Sequence, residues 1–308
     1  MNLQQLEYIV SLAEHQHFGR AAEACGVTQP TLSAMIQKLE DELGVKIFDR
    51  SHQPIAPTEI GYHIIFQAKE TIRTADQIKA VIEEAKDSLK GTIKIGILPT
   101  IAPYLVPKLL PQIKKYLPDL IVNVSELQTS KCEEMLAEGE LDMCILATDP
   151  VNGEFSEETL YYEEFVGYVS TNEELFKQET IRSSEVKAES LWLLAEGHCF
   201  RDQLVKFCQL RTNSKRKFNY REGSLQGFMK LVESGNGITF LPELCSRELK
   251  DERKKLLRPF SIPRPTRVVR LVHHKNYVRL GLLKALTTAL KKAVPESMLT
   301  THAGQSIV

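Results

Sequence analysis

Apolar residues recur at steps of three and four over the first ninety positions, and that spacing predicts helices. Leu3, Leu6, Ile9, Val10 and Ala13 make one face of a first helix, opened by Asn2 and Gln5 as a capping box. Phe18 to about Ala24 forms a second, burying Phe18, Ala21, Ala22 and Cys25 before a turn at Gly26. Thr28 caps a third, with Pro30 in its first turn, where no N–H is needed. Its apolar stripe is Leu32, Met35, Ile36, Leu39 and Leu43, leaving Gln29, Thr31, Ser33, Gln37 and Lys38 facing outward. Two helices joined by a short glycine turn predict a helix-turn-helix, whose polar N-terminal residues can enter a major groove. Leu43 to Arg50 reads as a glycine turn into a short β-wing, with Lys46 and Arg50 as phosphate contacts.

From Pro57 and Thr58 a single helix is expected to run to about Lys90 and stop at Gly91. Gly61, Ile64, Ala68, Thr71, Ala75, Ile78, Ile82, Ala85 and Leu89 keep a 3.5-residue repeat, which predicts a coiled-coil seam and hence a dimer. Beyond Gly91 the pattern changes to strands alternating with helices, which implies a parallel sheet. Strands are expected at Thr92–Leu98, Leu120–Val124, Leu141–Ala147, Phe165–Val169, Ile238–Pro242 and Arg267–His273. Helices are expected at Tyr104–Tyr116, Lys131–Ala137, Leu225–Val232 and Gly281–Ala293, ahead of a polar tail expected to be loose.

With 308 residues, two or three domains are expected. No apolar run approaches the roughly 18 residues of a membrane span, and the N-terminus has no signal-peptide pattern, so the expected location is the cytoplasm. There the six cysteines should rest as thiols. They form no zinc-ligand spacing, and no metal or other cofactor is expected. Net charge is −1 overall, and residues 1–90 carry 9 Lys and Arg against 13 Asp and Glu. A DNA-binding role for this region therefore depends on locally placed bases, not on a basic footprint.

The stretch Glu196 to Cys208 carries the candidate chemistry. Phe200, Leu204 and Phe207 fall on one helical face, and Cys199 stands at or just before the helix start, in a box-like relation to Asp202. Unpaired N–H groups there favour a thiolate, with His198 and Arg201 adding to the field and Asp202 opposing it. Cys208 lies nine residues on. An intact helix would hold the two α-carbons roughly 13 Å apart, whereas a disulfide needs them within about 7 Å. Joining these thiols requires the helix to melt, which is the behaviour of a redox switch.

Phe18–Ala22, Gln29-Pro30-Thr31-Leu32-Ser33, Leu43–Arg50 and Pro57-Thr58-x-x-Gly61 together resemble the LysR-type transcriptional regulators. The resemblance implies an N-terminal all-α winged helix-turn-helix with a long linker helix, then a C-terminal α/β, two-lobed, periplasmic-binding-protein-like regulatory domain. Residues 1–57 would bind double-stranded DNA through Gln29, Pro30, Thr31, Ser33, Lys38, Lys46 and Arg50. Residues 58–90 would dimerise, and 91–308 would sense, with one lobe at about 91–162 and 267–300 and the other at about 163–266. Leu98–Leu105, Glu126-x-x-Thr129 and Glu196–Gln203 followed by Cys208 are similar to the peroxide-sensing members of that family. That likeness implies Cys199 as the thiol oxidised by hydrogen peroxide and Cys208 as its resolving partner. It places Thr100 and Thr129 nearby, with His198, Asp202 and Arg267 as candidates for proton relay and anion stabilisation. It further implies a homotetramer, contact with RNA polymerase, and a cellular thiol reductase system as partners. The competing readings are a regulator answering a small metabolite between the lobes and, in a different class, a thiol peroxidase. A thiol spent once per signal is not an enzyme.

Overall fold

At the N-terminus, Asn2 Oδ1 accepts the Gln5 N–H at 2.9 Å and Gln5 Oε1 accepts the Asn2 N–H at 3.0 Å, completing the expected box. It opens α1 (Leu3–His15), followed by α2 (Phe18–Ala24) and α3 (Gln29–Leu43). Thr28 caps α3, and Gly44 closes it with φ of 70°. β1 (Phe48–Asp49) and β2 (Ala56–Pro57) pair antiparallel as the wing. Thr58 then caps α4 (Glu59–Ala85), its Oγ accepting the Gly61 N–H at 3.0 Å. A Cβ at Gly61 would lie 2.0 Å from the Ile47 carbonyl oxygen, so only glycine lets the helix pass the base of the wing. This computed structural model describes all residues except 52–53, 86–88, 151–152, 211–219 and 221–222. The expected stretch of α4 over 86–88 lies outside the described residues.

The first half of the α4 stripe packs inside its own unit, which the coiled-coil reading did not anticipate. Gly61, Ile65 and Ala68 are buried, and Ile64 and Ile72 pack against the core of the first unit. Three short helices cannot enclose a core alone, and the first half of α4 supplies the missing wall. Further along the stripe, Ile78 is 65% exposed and Ile82 49%.

Residues Leu89–Ala137 and Leu141–Val308 form a second compact unit. It begins β3 (Gly91–Ile97), α5 (Ala102–Tyr116), β4 (Leu120–Glu126), α6 (Thr129–Ala137), β5 (Met143–Leu146) and β6 (Phe155–Val169). It continues α7 (Cys199–Phe207), α8 (Leu225–Glu233), β7 (Ile238–Pro242), α9 (Glu243–Arg247), α10 (Asp251–Lys254) and β8 (Leu257–Pro259). It ends with β9 (Arg264–His274), α11 (Leu280–Lys292) and β10 (Gln305–Ile307). Strand order is β4-β3-β5-β9-β6-β7, with β10 beside β9 and β8 beside β6. The sheet is mixed, not parallel throughout. β3 pairs in parallel with β4 and β5, but β9 returns antiparallel to β5 and β6.

β6 belongs to two layers. Phe155 to Glu164 pair with β9, and Phe165 to Val169 pair with β7. Two apolar clusters result. One gathers β3, β5, α5 and α11; the other gathers Phe165, Val169, Phe200, Leu204, Cys208, Phe228, Phe240 and Phe260. The tail is ordered, contrary to the sequence expectation. β10 runs parallel to Arg264–Thr266, Arg264 N–H donates to Gly304 O at 2.8 Å, and Val308 N–H donates to Thr266 O at 3.1 Å. The exposed edge of β9 would otherwise carry unpaired backbone groups, and the polar tail satisfies them.

Candidate functional site

Thr100 follows the C-terminal end of β3, and Thr129 opens α6 just beyond β4. This edge of parallel strands is where open α/β sheets place their ligands. The start of α7 closes the same space. Leu98, Thr100, Gln128, Thr129, Gly197, His198, Cys199 and Phe200 line a tight pocket. Gly197 makes the turn into it with φ of 91°, and a Cβ there would meet Gln128 Oε1 at 3.2 Å. The structure thus brings together Thr100, Thr129, His198 and Cys199 of the expected residues.

The thiol capping box does not form. His198 is the residue before the helix and Cys199 its first helical position, so Asp202 is out of register for the box. Asp202 instead accepts from Arg201 Nη1 at 3.0 Å, while Arg201 Nη2 reaches Glu196 at 3.3 Å. Arg201 is therefore occupied by carboxylates and adds little net field at the sulfur. His198 Nε2 lies 3.3 Å from Gln128 Nε2, and burial lowers its pKa, favouring the neutral ring.

The surroundings of Cys199 on balance work against the expected thiolate. Burial raises the Cys199 pKa, while Arg267, the Thr129 hydroxyl and the Phe200 N–H pull it down without cancelling the burial effect. Thr129 Oγ is buried with no partner that satisfies hydrogen-bond geometry. It nevertheless lies close enough to the sulfur to favour the thiolate. Arg267 sits behind the pocket, 1% exposed. Its Nη1 donates to Thr100 Oγ at 2.9 Å, and its Nε and Nη2 donate to Glu163 Oε2 at 2.9 and 2.7 Å. Its guanidinium carbon is 5.2 Å from the centre of the Phe200 ring.

Cys208 is the C-cap of α7, buried in the second cluster, and both cysteines are free. Burial pushes its pKa up to about 12. It stands nine positions beyond Cys199 along an intact helix, as the spacing predicts. Phe200 and Leu204 are buried, and Phe207 packs against the cluster, its ring 5.7 Å from that of Phe260. Gln203, on the opposite turn, donates to Ala147 O at 2.8 Å and to Val308 O at 3.1 Å.

In the first unit, Gln29, Pro30, Thr31 and Lys38 are exposed on α3 and Ser33 is half-buried. Sequence reasoning missed Glu40. Its buried carboxylate accepts from Ile47 N at 2.8 Å, Phe48 N at 3.2 Å, Arg50 Nη2 at 3.0 Å and Lys46 Nζ at 3.3 Å. Arg50, whose guanidinium carbon lies 5.4 Å from the centre of the Phe18 ring, therefore braces the wing. The missed signal was an acidic residue four positions after Ile36, where the stripe calls for an apolar one. Glu163 gave the same signal, facing inward between Tyr161 and Phe165 on β6.

Comparison with known proteins gives the family. The family model described as bacterial regulatory helix-turn-helix protein, lysR family, matches residues 3–62. The LysR substrate binding domain model matches residues 86–295. The DNA-binding transcriptional dual regulator OxyR of Escherichia coli is 35% identical over 294 residues, covering 94% of this chain and 95% of that one. The crystal structure of OxyR from Porphyromonas gingivalis shares 49% identity with a TM-score of 0.67, covering 71% of this chain and 99% of that one. Full-length OxyR from Pseudomonas aeruginosa shares 34% identity with a TM-score of 0.78, covering 94% and 95%. Matched from its reading helix to its thiol pocket, the chain belongs to the LysR family of bacterial helix-turn-helix regulators and, within it, to the OxyR group of hydrogen peroxide-inducible activators.

Proposed function

We propose that this chain is a transcriptional regulator that senses hydrogen peroxide through Cys199 and reports it to DNA through residues 1–57. The observation that carries the reading is the placement of two thiols at opposite ends of α7, one in a hydroxyl-lined pocket and the other sealed in the core. Peroxide enters beside Thr100 and Thr129, whose hydroxyls suit a small neutral diol-like oxidant. The Cys199 thiolate attacks one oxygen, the O–O bond breaks, and the departing hydroxide takes a proton to become water. Cys208 then attacks the sulfenic sulfur. The S–S bond forms, the S–O bond breaks, and a second water leaves. One peroxide and two thiols thus become a disulfide and two waters.

The disulfide requires α7 to open. Phe200, Leu204 and Phe207 then leave their packing, each worth roughly 1.5–3 kcal/mol. Their sum matches the few kcal/mol that reset a two-state equilibrium. In this reading residues 91–308 form a two-lobed, periplasmic-binding-protein-like sensor and residues 58–90 join two chains. By the family resemblance alone, the reading adds a tetramer, contact with RNA polymerase and reversal by a thiol reductase. The thiol acts once per signal, so the chain is a regulator and not a turnover enzyme.

Peptide mass mapping after brief peroxide treatment, read beside an electrophoretic mobility shift, tests the proposal. A Cys199–Cys208 disulfide and an altered shift are expected, both abolished in Cys199→Ser. A small metabolite that moves the shift under full reduction, with no peroxide effect, would select the competing regulator instead.

A further inference from the structure

A carboxylate with almost no contact with solvent lies where β6 passes from one layer to the other. Glu163 is 1% exposed. Its Oε2 accepts both Arg267 bonds, and its Oε1 accepts the Leu244 N–H at 2.9 Å. A buried charge pair is tolerated only when its geometry is good and its remaining donors and acceptors are met. Here the far edge of the guanidinium meets one residue. Arg267 Nη1 donates to Thr100 Oγ at 2.9 Å and Nη2 to Thr100 O at 3.1 Å. Because Thr100 Oγ already accepts from a cation, its own O–H is left to donate elsewhere. Thr100 shares the pocket with Cys199. The direction of that hydroxyl is thus set by Arg267, and the direction of Arg267 by Glu163.

We propose that Glu163, which touches neither the thiol nor the pocket, is a positioning residue for the peroxide reaction: it clamps Arg267 so that Thr100 donates toward the oxidant, and its negative charge limits how much of the guanidinium's field reaches the sulfur. The proposal rests on the thiol reading above. During attack the Thr100 O–H hydrogen-bonds the departing oxygen as the O–O bond breaks. The guanidinium stabilises the charge that develops on that oxygen. The charged groups bearing on the sulfur are Arg267 from β9 and Asp202 from α7, with His198 adjacent in the chain. Those bearing on Glu163 are Arg267 and Glu243 from α9, and Tyr161 is its neighbour on β6. Glu163 keeps the Arg267 charge compensated whether or not α7 is in place. The helix can therefore open without stranding a bare cation in the core.

The test uses the reduced full chain and two rates at Cys199, alkylation by iodoacetamide as a function of pH and oxidation by peroxide. In Glu163→Gln the alkylation midpoint should move to lower pH, giving about threefold faster alkylation at pH 7 for a half-unit shift. The ratio of peroxide rate to alkylation rate should fall. An unchanged midpoint in the folded variant overturns the proposal. Glu163→Asp keeps the charge but withdraws the clamp by one methylene. Its midpoint should match wild type while the rate ratio falls, and an unchanged ratio overturns the proposal even where the Gln variant fails to fold. If wild-type Cys199 stays a thiol under peroxide, the thiol reading itself fails, a result distinct from a null effect at Glu163.

Discussion

Cys199 is only partly exposed, and its surroundings on balance disfavour the anion that reacts with electrophiles. Burial outweighs the pull of Arg267 and Thr129, so its pKa stays above that of an ordinary thiol. Only the thiolate reacts, and its fraction grows about tenfold per pH unit below the pKa. Alkylation of Cys199 is therefore expected to climb with pH through and beyond about 9, without a plateau near neutrality. Thr129→Val removes a group that favours the anion, so it should raise the pKa further and slow alkylation at fixed pH. Quantitative mass spectrometry of the Cys199 peptide reads both effects, and a plateau below pH 8 would contradict the account. At this scale the spacing singled out the two thiols, while Thr100, Thr129 and Arg267 came with the family resemblance. Neither located the partners that restrain them. Glu40 and Glu163 are acidic residues on apolar faces and went unread, and Glu163 lies 104 positions from Arg267, so no local spacing connects them.

The element that converts chemistry into shape is α7, and its attachments are few. One face is held by packing, with the Phe200 and Phe165 ring centres 4.8 Å apart. The other is held by Gln203 through Ala147 O and Val308 O. Each such hydrogen bond contributes about 0.5–1.5 kcal/mol net. Gln203→Leu should therefore lower the thermal stability of the reduced form and speed closure of the disulfide once Cys199 is oxidised. Stopped-flow quenching with resolution of the two oxidised species follows that step. An unchanged closure rate would show that the helix is not restrained there. The periodicity of α7 was legible because all its determinants lie within nine residues. The ordered tail was not, because its polar residues look like a loop until β9, some forty positions earlier, offers them an edge. Nor was the mixed direction of the sheet, since β9 reads as any other apolar run.

Across the molecule, the exposed second half of the α4 stripe is where a second chain would add most. Ile78 and Ile82 face solvent, and an isolated helix has no reason to keep them apolar. Ile78→Asp with Ile82→Asp is expected to yield monomers in sedimentation and to weaken operator binding, since two reading heads would no longer be linked. A dimer that persists with both changes would place the interface elsewhere. The first half of the stripe, used inside its own domain, should tolerate no such change. β6 carries a different consequence. One continuous strand is hydrogen-bonded into both layers of the second unit, so neither layer can lose its ladder without disturbing the other. Residues 89–308 should then melt as an indivisible thermodynamic body, and whatever oxidation does to the aromatic core is felt as a change in the cooperativity of the whole.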